Sequence, residues 1–144
     1  MPTVRILIAD DSQEVLQQVT EMLQEDFLVA GAVAAGKSVL QEVGSLDPDV
    51  IVLDISLGDI TGLEVARRLR EMNCRARIVF LTVHEGVDFV RAAMALGASG
   101  YVFKSRAGSD LIAAIHAAAR GERFFPAGSV DPYPHSSGNF SIFL

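Results

Sequence analysis

The chain has 144 residues, half of them hydrophobic and about a fifth charged, a composition that excludes an intrinsically disordered chain and fits one domain with its own core. The formal net charge of −6 and a pI near 4.9 argue against direct nucleic-acid binding by this chain and suit the binding of a cation. A lone cysteine, Cys74, excludes an internal disulfide. No apolar run is long enough to span a bilayer and the N-terminus shows no secretory signal, so the chain is expected to be soluble and cytoplasmic, without a membrane partner.

Residues 4–9, Val-Arg-Ile-Leu-Ile-Ala, predict a first strand that ends on Asp10 and Asp11. Ser12 is a good helix N-cap, because its hydroxyl accepts from the free amides of a first turn. Val15, Leu16, Val19, Met22 and Leu23 then recur at helical spacing. Residues 27–33 predict a second strand, and Gly36 opens a shorter helix with Val39, Leu40, Val43 and Leu46 on one side, stopped by Pro48. Residues 49–54, Asp-Val-Ile-Val-Leu-Asp, hold four apolar residues in a row, the pattern of a strand buried on both faces. That strand closes on Asp54.

A loop over 55–62 leads to a third helix with Leu63, Val65, Ala66, Leu69 and Met72 inward and Arg67, Arg68, Arg70 and Glu71 outward. Residues 77–81 predict a fourth strand ending on Thr82, and 86–96 a fourth helix stopped by Gly97. Residues 101–103 form a short fifth strand ending on Lys104. Residues 111–119 form a fifth helix with Leu111, Ile112, Ile115 and Ala119 facing in. From residue 122 onward the composition turns to Pro, Gly and Ser, which predicts a loop or disordered tail over 122–144 and a folded domain over 1–121.

Five strands alternating with five helices predict a doubly wound α/β domain, a flavodoxin-like parallel sheet of order 2-1-3-4-5. Ligands of such sheets bind outside the carboxyl ends of the strands. There the chain places Asp10, Asp11, Asp54, Thr82 and Lys104. Converging carboxylates repel one another unless a cation neutralises them, and hard oxygen donors favour Mg²⁺. A carboxylate beside Mg²⁺ is a candidate nucleophile toward phosphorus, with the Thr82 hydroxyl and the Lys104 ammonium placed to neutralise phosphoryl oxygens. A flavin phosphate would be repelled by the two acids after the first strand. A phosphoaspartate hydrolase would carry an Asp-x-Asp pair, and Asp54-Ile55-Ser56 lacks the second acid.

The segments Ile-Ala-Asp-Asp-Ser, Val-Leu-Asp-Ile-Ser-Leu, Phe-Leu-Thr and Gly-Ala-Ser-Gly-Tyr-Val-Phe-Lys, in that order and spacing, resemble the receiver domain of two-component response regulators over residues 4 to about 121. The last of them, with Ala-Ala-Ile-His-Ala-Ala-Ala-Arg-Gly, is similar to the receivers that usually precede a LuxR-type helix-turn-helix. The resemblance implies that Asp54 accepts a phosphoryl group from a phosphohistidine of a sensor histidine kinase or phosphotransfer protein. Asp10, Asp11, Asp54 and the backbone carbonyl of Ser56 would hold Mg²⁺, and Thr82 and Lys104 would contact the transferred group. Tyr101 matches the aromatic whose inward turn reshapes the surface of the fourth helix, fifth strand and fifth helix.

The chain would then be a signalling switch that assists its own phosphorylation and dephosphorylation rather than a turnover enzyme. Its output would run through a partner, a homodimer or an output domain. Gly58 stands where the family usually has proline. Ser105 follows Lys104 where many receivers have a cis proline, so the geometry of that bond is left open. Ser56 and His84 flank the site as candidates for tuning phosphoryl lifetime. The alternative is a degenerate receiver, an interaction module that works without phosphorylation.

Overall fold

A computed structural model of the chain describes residues 3–129. The elements run β1 (Arg5–Ala9), α1 (Gln13–Leu23), β2 (Leu28–Val33), α2 (Gly36–Leu46), β3 (Val50–Leu53), α3 (Gly62–Glu71), β4 (Arg77–Thr82), α4 (Val87–Ala95), β5 (Gly100–Phe103), a 3₁₀ turn over Lys104–Arg106 and α5 (Ala107–Ala119). The strands form one parallel sheet of order β2-β1-β3-β4-β5, the predicted flavodoxin-like arrangement. Strand pleating sends alternate residues to opposite faces. On one face Leu7, Ile51, Leu53 and Phe80 pack with Val39, Val65, Leu69, Val90 and Met94 of α2, α3 and α4. On the other, Ile6, Ile8, Val52 and Leu81 pack with Leu16, Val19, Leu23, Leu111 and Ile115 of α1 and α5. Both faces are covered, which is why β3 is apolar throughout and buried at every position.

Three details differ from the sequence reading. Met72 is the C-cap of α3 and is 54 % exposed: the inward spacing carries on to it, but Asn73 turns to a positive φ of 56° and takes the chain off the helix. Ala119 is exposed at the end of α5, whose inward positions are Leu111, Ala114, Ile115, Ala117 and Ala118. That helix also starts four residues earlier than its apolar spacing suggests. Its first turn holds Gly108 and Ser109 and has no side-chain cap, so the sequence reads as loop while the 3₁₀ turn hands the chain on to the helix.

Beyond α5, Phe124 donates its amide to the Ser99 carbonyl and its own carbonyl accepts from the Tyr101 amide, at 2.9 Å each. This backbone pairing covers the outer edge of β5, which would otherwise present unpaired groups. Part of the expected 122–144 tail lies outside the described residues.

Helix α2 is weak by its own sequence, with Gly36 and Gly44 inside it and no side-chain cap from Ala35. Residues far along the chain complete it. Asp59 accepts from the amides of Gly36 (2.9 Å) and Lys37 (3.0 Å) at its start. Arg5 donates to the Leu46 carbonyl at its end (2.7 Å). The amides of Lys37 and then Gly36 hold the Asp59 carboxyl down to about 2. A lowered carboxyl contributes stability above its ordinary value near 4, and that contribution fades as pH falls toward 2. Asp59→Ala is therefore expected to cost about 1 kcal/mol at neutral pH, the usual worth of an N-cap, in urea unfolding. The difference from the wild type should shrink between pH 4 and 2.

Candidate functional site

The strand order places β1 beside β3, with Ala9 paired to Leu53, so the next residues, Asp10 and Asp54, stand level at neighbouring strand ends. The ladder continues one step further: the Asp10 amide donates to Val33 and the Asp54 amide to Ala9. On the other side Thr82 pairs with Phe103, which puts Lys104 one residue past the end of β5. Sheet register alone thus gathers the predicted residues at one edge.

Carboxylate oxygens of Asp10, Asp11 and Asp54 lie within 4.8 Å of one another. Asp10 and Asp54 are buried, 2 % and 3 % exposed, while Asp11 is exposed. Lys104 joins the two buried acids, with its Nζ 2.7 Å from Asp10 Oδ2 and 2.9 Å from Asp54 Oδ2. Asp10 Oδ1 accepts from the Ser12 amide at 2.9 Å. Asp54 Oδ1 accepts from the amides of Ile55 (2.7 Å) and Ser56 (3.4 Å). Burial raises the Asp10 carboxyl above its ordinary value, against the lowering effect of the Lys104 and Ser12 hydrogen bonds and with the Asp54 charge adding to the rise. Burial alone would lower the Lys104 ammonium, but the hydrogen bonds to Asp10 and Asp54 and the two charges carry it upward.

A second group lies beside this cluster. Thr82 is fully buried and its Oγ1 accepts from the His84 amide at 3.3 Å. Tyr101, 1 % exposed, donates its hydroxyl to the His84 carbonyl at 2.7 Å. Its ring lies inward between Phe80 and Phe103, and burial, then the Asp54 charge, pushes the phenol up. The His84 ring stacks on Phe89 at 4.4 Å, and its Nε2 is 2.8 Å from Ser56 Oγ. The β3–α3 loop is thereby joined to the β4–α4 loop. Every predicted side chain falls into one of these two groups.

Two residues at the site carried no signal that the sequence reading used. Gly62 passes so close to the end of β3 that a Cβ there would lie 2.0 Å from the Asp54 carbonyl oxygen. Asp59 ties the loop to α2. The two departures from the family pattern also have a structural form. Gly58 has a φ of +85°, which proline, fixed near −65°, cannot adopt. The Lys104–Ser105 bond is trans, as no described peptide bond is cis.

The residues fit a Mg²⁺ ion. Three carboxylates converge with one ammonium between them, which leaves net negative charge and hard oxygen donors, one acid being open to solvent. Among the described residues no helix is long and apolar enough to cross a membrane.

Comparison with known proteins places the chain in a family. The model of the response regulator receiver domain matches residues 6–116. The nitrate/nitrite response regulator protein NarL of Escherichia coli K12 is 35 % identical over 119 residues, which cover 81 % of this chain and 55 % of NarL. The transcriptional regulatory protein YvfU of Bacillus subtilis is 32 % identical over 124 residues, 85 % of this chain and 62 % of that protein. A LuxR-family two-component response regulator from Aurantimonas sp. SI85-9A1 superposes with a TM-score of 0.81 at 31 % identity, covering 85 % of this chain and 89 % of that one. The chain spans little more than half the length of the curated relatives it matches. With relatives that are transcriptional regulators, the expectation that this chain makes no nucleic-acid contact gains no support. The match over most of the chain, with the five-stranded fold beneath it, shows that the chain belongs to the response regulator receiver family.

Proposed function

We propose that the chain is a phosphorylation-dependent switch whose Asp54 accepts a phosphoryl group from a phosphohistidine. The convergence of Asp10, Asp11 and Asp54, with Lys104 bridging the two buried acids, carries this reading. Asp54 Oδ1 is held by two backbone amides, which aim the carboxylate. Oδ2 is paired with Lys104 and is the oxygen freed for attack when that ammonium turns to the incoming phosphoryl oxygens. A bond forms from the Asp54 carboxylate to phosphorus as the nitrogen–phosphorus bond breaks, and its electron pair stays on the donor imidazole.

Asp10, Asp11, Asp54 and the Ser56 carbonyl would hold Mg²⁺. When bound, it neutralises charge on the phosphoryl oxygens. The Thr82 hydroxyl is the donor that meets the new group. To do so Thr82 gives up the His84 amide, and Tyr101 holds the same residue by its carbonyl. Phosphorylation would thus reshape the β4–α4 loop and the α4–β5–α5 face. We assign the switch to residues 1–121, take a sensor histidine kinase or phosphotransfer protein as its cytoplasmic donor, and expect an output domain or a second copy of the chain to read the changed face.

The test is intact mass after incubation with acetyl phosphate or phosphoramidate, with and without Mg²⁺. One added phosphoryl group in the presence of Mg²⁺ alone is the expected result. No gain from either small donor or from a phosphohistidine protein would favour the degenerate receiver. Lys104→Ala gives a second expectation. It leaves two buried carboxylates without their counter-charge, so stability without Mg²⁺ should fall by about 2 kcal/mol, moderated by the partial exposure of Lys104. Mg²⁺ should bind more tightly than to the wild type and restore part of that loss, as read by urea unfolding across a Mg²⁺ titration.

A further inference from the structure

The loop between β3 and α3 borders the acid cluster, yet its middle is short of internal contacts. Ile55 and Leu57 are buried at 3 % exposure each, while Ser56, Gly58 and Asp59 are exposed. Gly58 carries the positive φ, and the position its Cβ would take is 4.0 Å from Asp11 Oδ2. A glycine there supplies no side chain to fix the path and has the widest conformational freedom of any residue. Its path is therefore set by the anchors on either side, Leu57 in the core and Asp59 on α2. Asp59 is a two-point anchor, each carboxylate oxygen taking one amide, from Gly36 and from Lys37. Close packing reinforces it: a Cβ at Gly36 would lie 2.7 Å from Ile60 Cγ1 and 2.8 Å from Val65 Cγ2.

We propose that Asp59 is a positioning residue for phosphoryl acceptance, tethering the β3–α3 loop to the first turn of α2 so that Ser56 and Gly58 keep their places beside Asp54 and Asp11. The inference rests on the phosphoacceptor reading of Asp54. Asp59 touches neither the acid cluster nor the reacting atoms; it acts through the loop backbone. Capping α2 and tethering the loop are separable roles, because Ala35, the helix's own N-cap, is extended (φ −135°, ψ 148°) and uncapped. Ala35→Ser supplies a local cap without any bond to the loop.

The experiment compares the full chain with Asp59→Ala, Asp59→Asn and the double variant Asp59→Ala/Ala35→Ser, each at a temperature where it is fully folded. Urea midpoint, amide hydrogen exchange over residues 55–60, Mg²⁺ affinity by titration and the rate of mass gain from acetyl phosphate are measured. Asp59→Ala is expected to speed loop exchange, weaken Mg²⁺ binding several-fold and slow phosphoryl gain about tenfold, the scale of a small misplacement of reacting groups. Asp59→Asn, which keeps one acceptor oxygen, should fall between it and the wild type. The double variant should recover the urea midpoint while its loop exchange and rate stay at the Asp59→Ala values.

Recovery of both rate and loop protection in the double variant would show a helix cap and nothing more, as would an unchanged rate in Asp59→Ala. A wild type that gains no phosphoryl group overturns the phosphoacceptor reading instead. In that case loop exchange and Mg²⁺ affinity still decide whether Asp59 holds the loop.

Discussion

Replacing Asp54 by alanine abolishes the mass gain from acetyl phosphate in the presence of Mg²⁺, with a loss of at least about 10³-fold, equivalent to roughly 4 kcal/mol of barrier. No neighbour can take over. Asp10 is buried and takes one backbone amide, from Ser12, with Lys104 on its other oxygen, so it lacks the pair of amides that aims Asp54. Asp11 is exposed and lacks the pair of backbone amides that aim Asp54. The core survives the change, because the apolar clusters on both faces of the sheet are built without the Asp54 side chain. Far-UV circular dichroism should therefore match the wild type while phosphoryl gain is absent. A variant that still gained one phosphoryl group at a comparable rate would place the acceptor elsewhere.

Gly62→Ala has the largest expected effect on stability. The added Cβ would stand 2.0 Å from the Asp54 carbonyl oxygen, 2.9 Å from its carbon and 3.0 Å from the Ile55 Cα. All three are backbone atoms at the end of β3, so no side-chain rotation relieves the overlap. Either α3 moves off the sheet or the strand end moves with Asp54 on it. The Gly62 amide bond to Ile55, at 2.7 Å, opposes both. A loss of about 3 kcal/mol is expected, at the upper end for overpacking, together with slower phosphoryl acceptance because the shifted residue is Asp54. Gly44→Ala is the control: nothing lies within 4 Å of its Cβ and it sits inside α2. It should stabilise the protein by about 0.5–1 kcal/mol. Urea unfolding of the two variants measures both effects.

These expectations also mark what the sequence made legible. The strand ends were readable because apolar runs such as residues 50–53 stop abruptly on polar residues, and parallel topology turns such stops into neighbours. That is why Asp10, Asp54, Thr82 and Lys104 read together from the sequence as one set of strand-end residues. Met72 and the start of α5 differ from the sequence pattern for a local reason: apolar spacing registers helical phase but not the point where the backbone leaves the helix, and Gly108-Ser109 imitates a turn. Asp59 and Gly62 were missed for a non-local one. The Asp59 carboxylate acts on a helix that begins 23 residues earlier, and the need for glycine at 62 comes from a carbonyl eight positions back. Neither partner is visible from the residue itself. Asp54 was legible as a strand-end acid, whereas the amide cradle on Oδ1 and the ammonium on Oδ2 needed the folded chain.

The most direct measurement of the central claim is the position of the phosphoryl group in the wild type. The protein is phosphorylated with acetyl phosphate and Mg²⁺, the acyl phosphate is reduced with borohydride, and the site is read by peptide mass spectrometry. The account predicts conversion of residue 54 to homoserine and of no other carboxylate. Conversion at Asp10, Asp11 or Asp59 with residue 54 intact would contradict it.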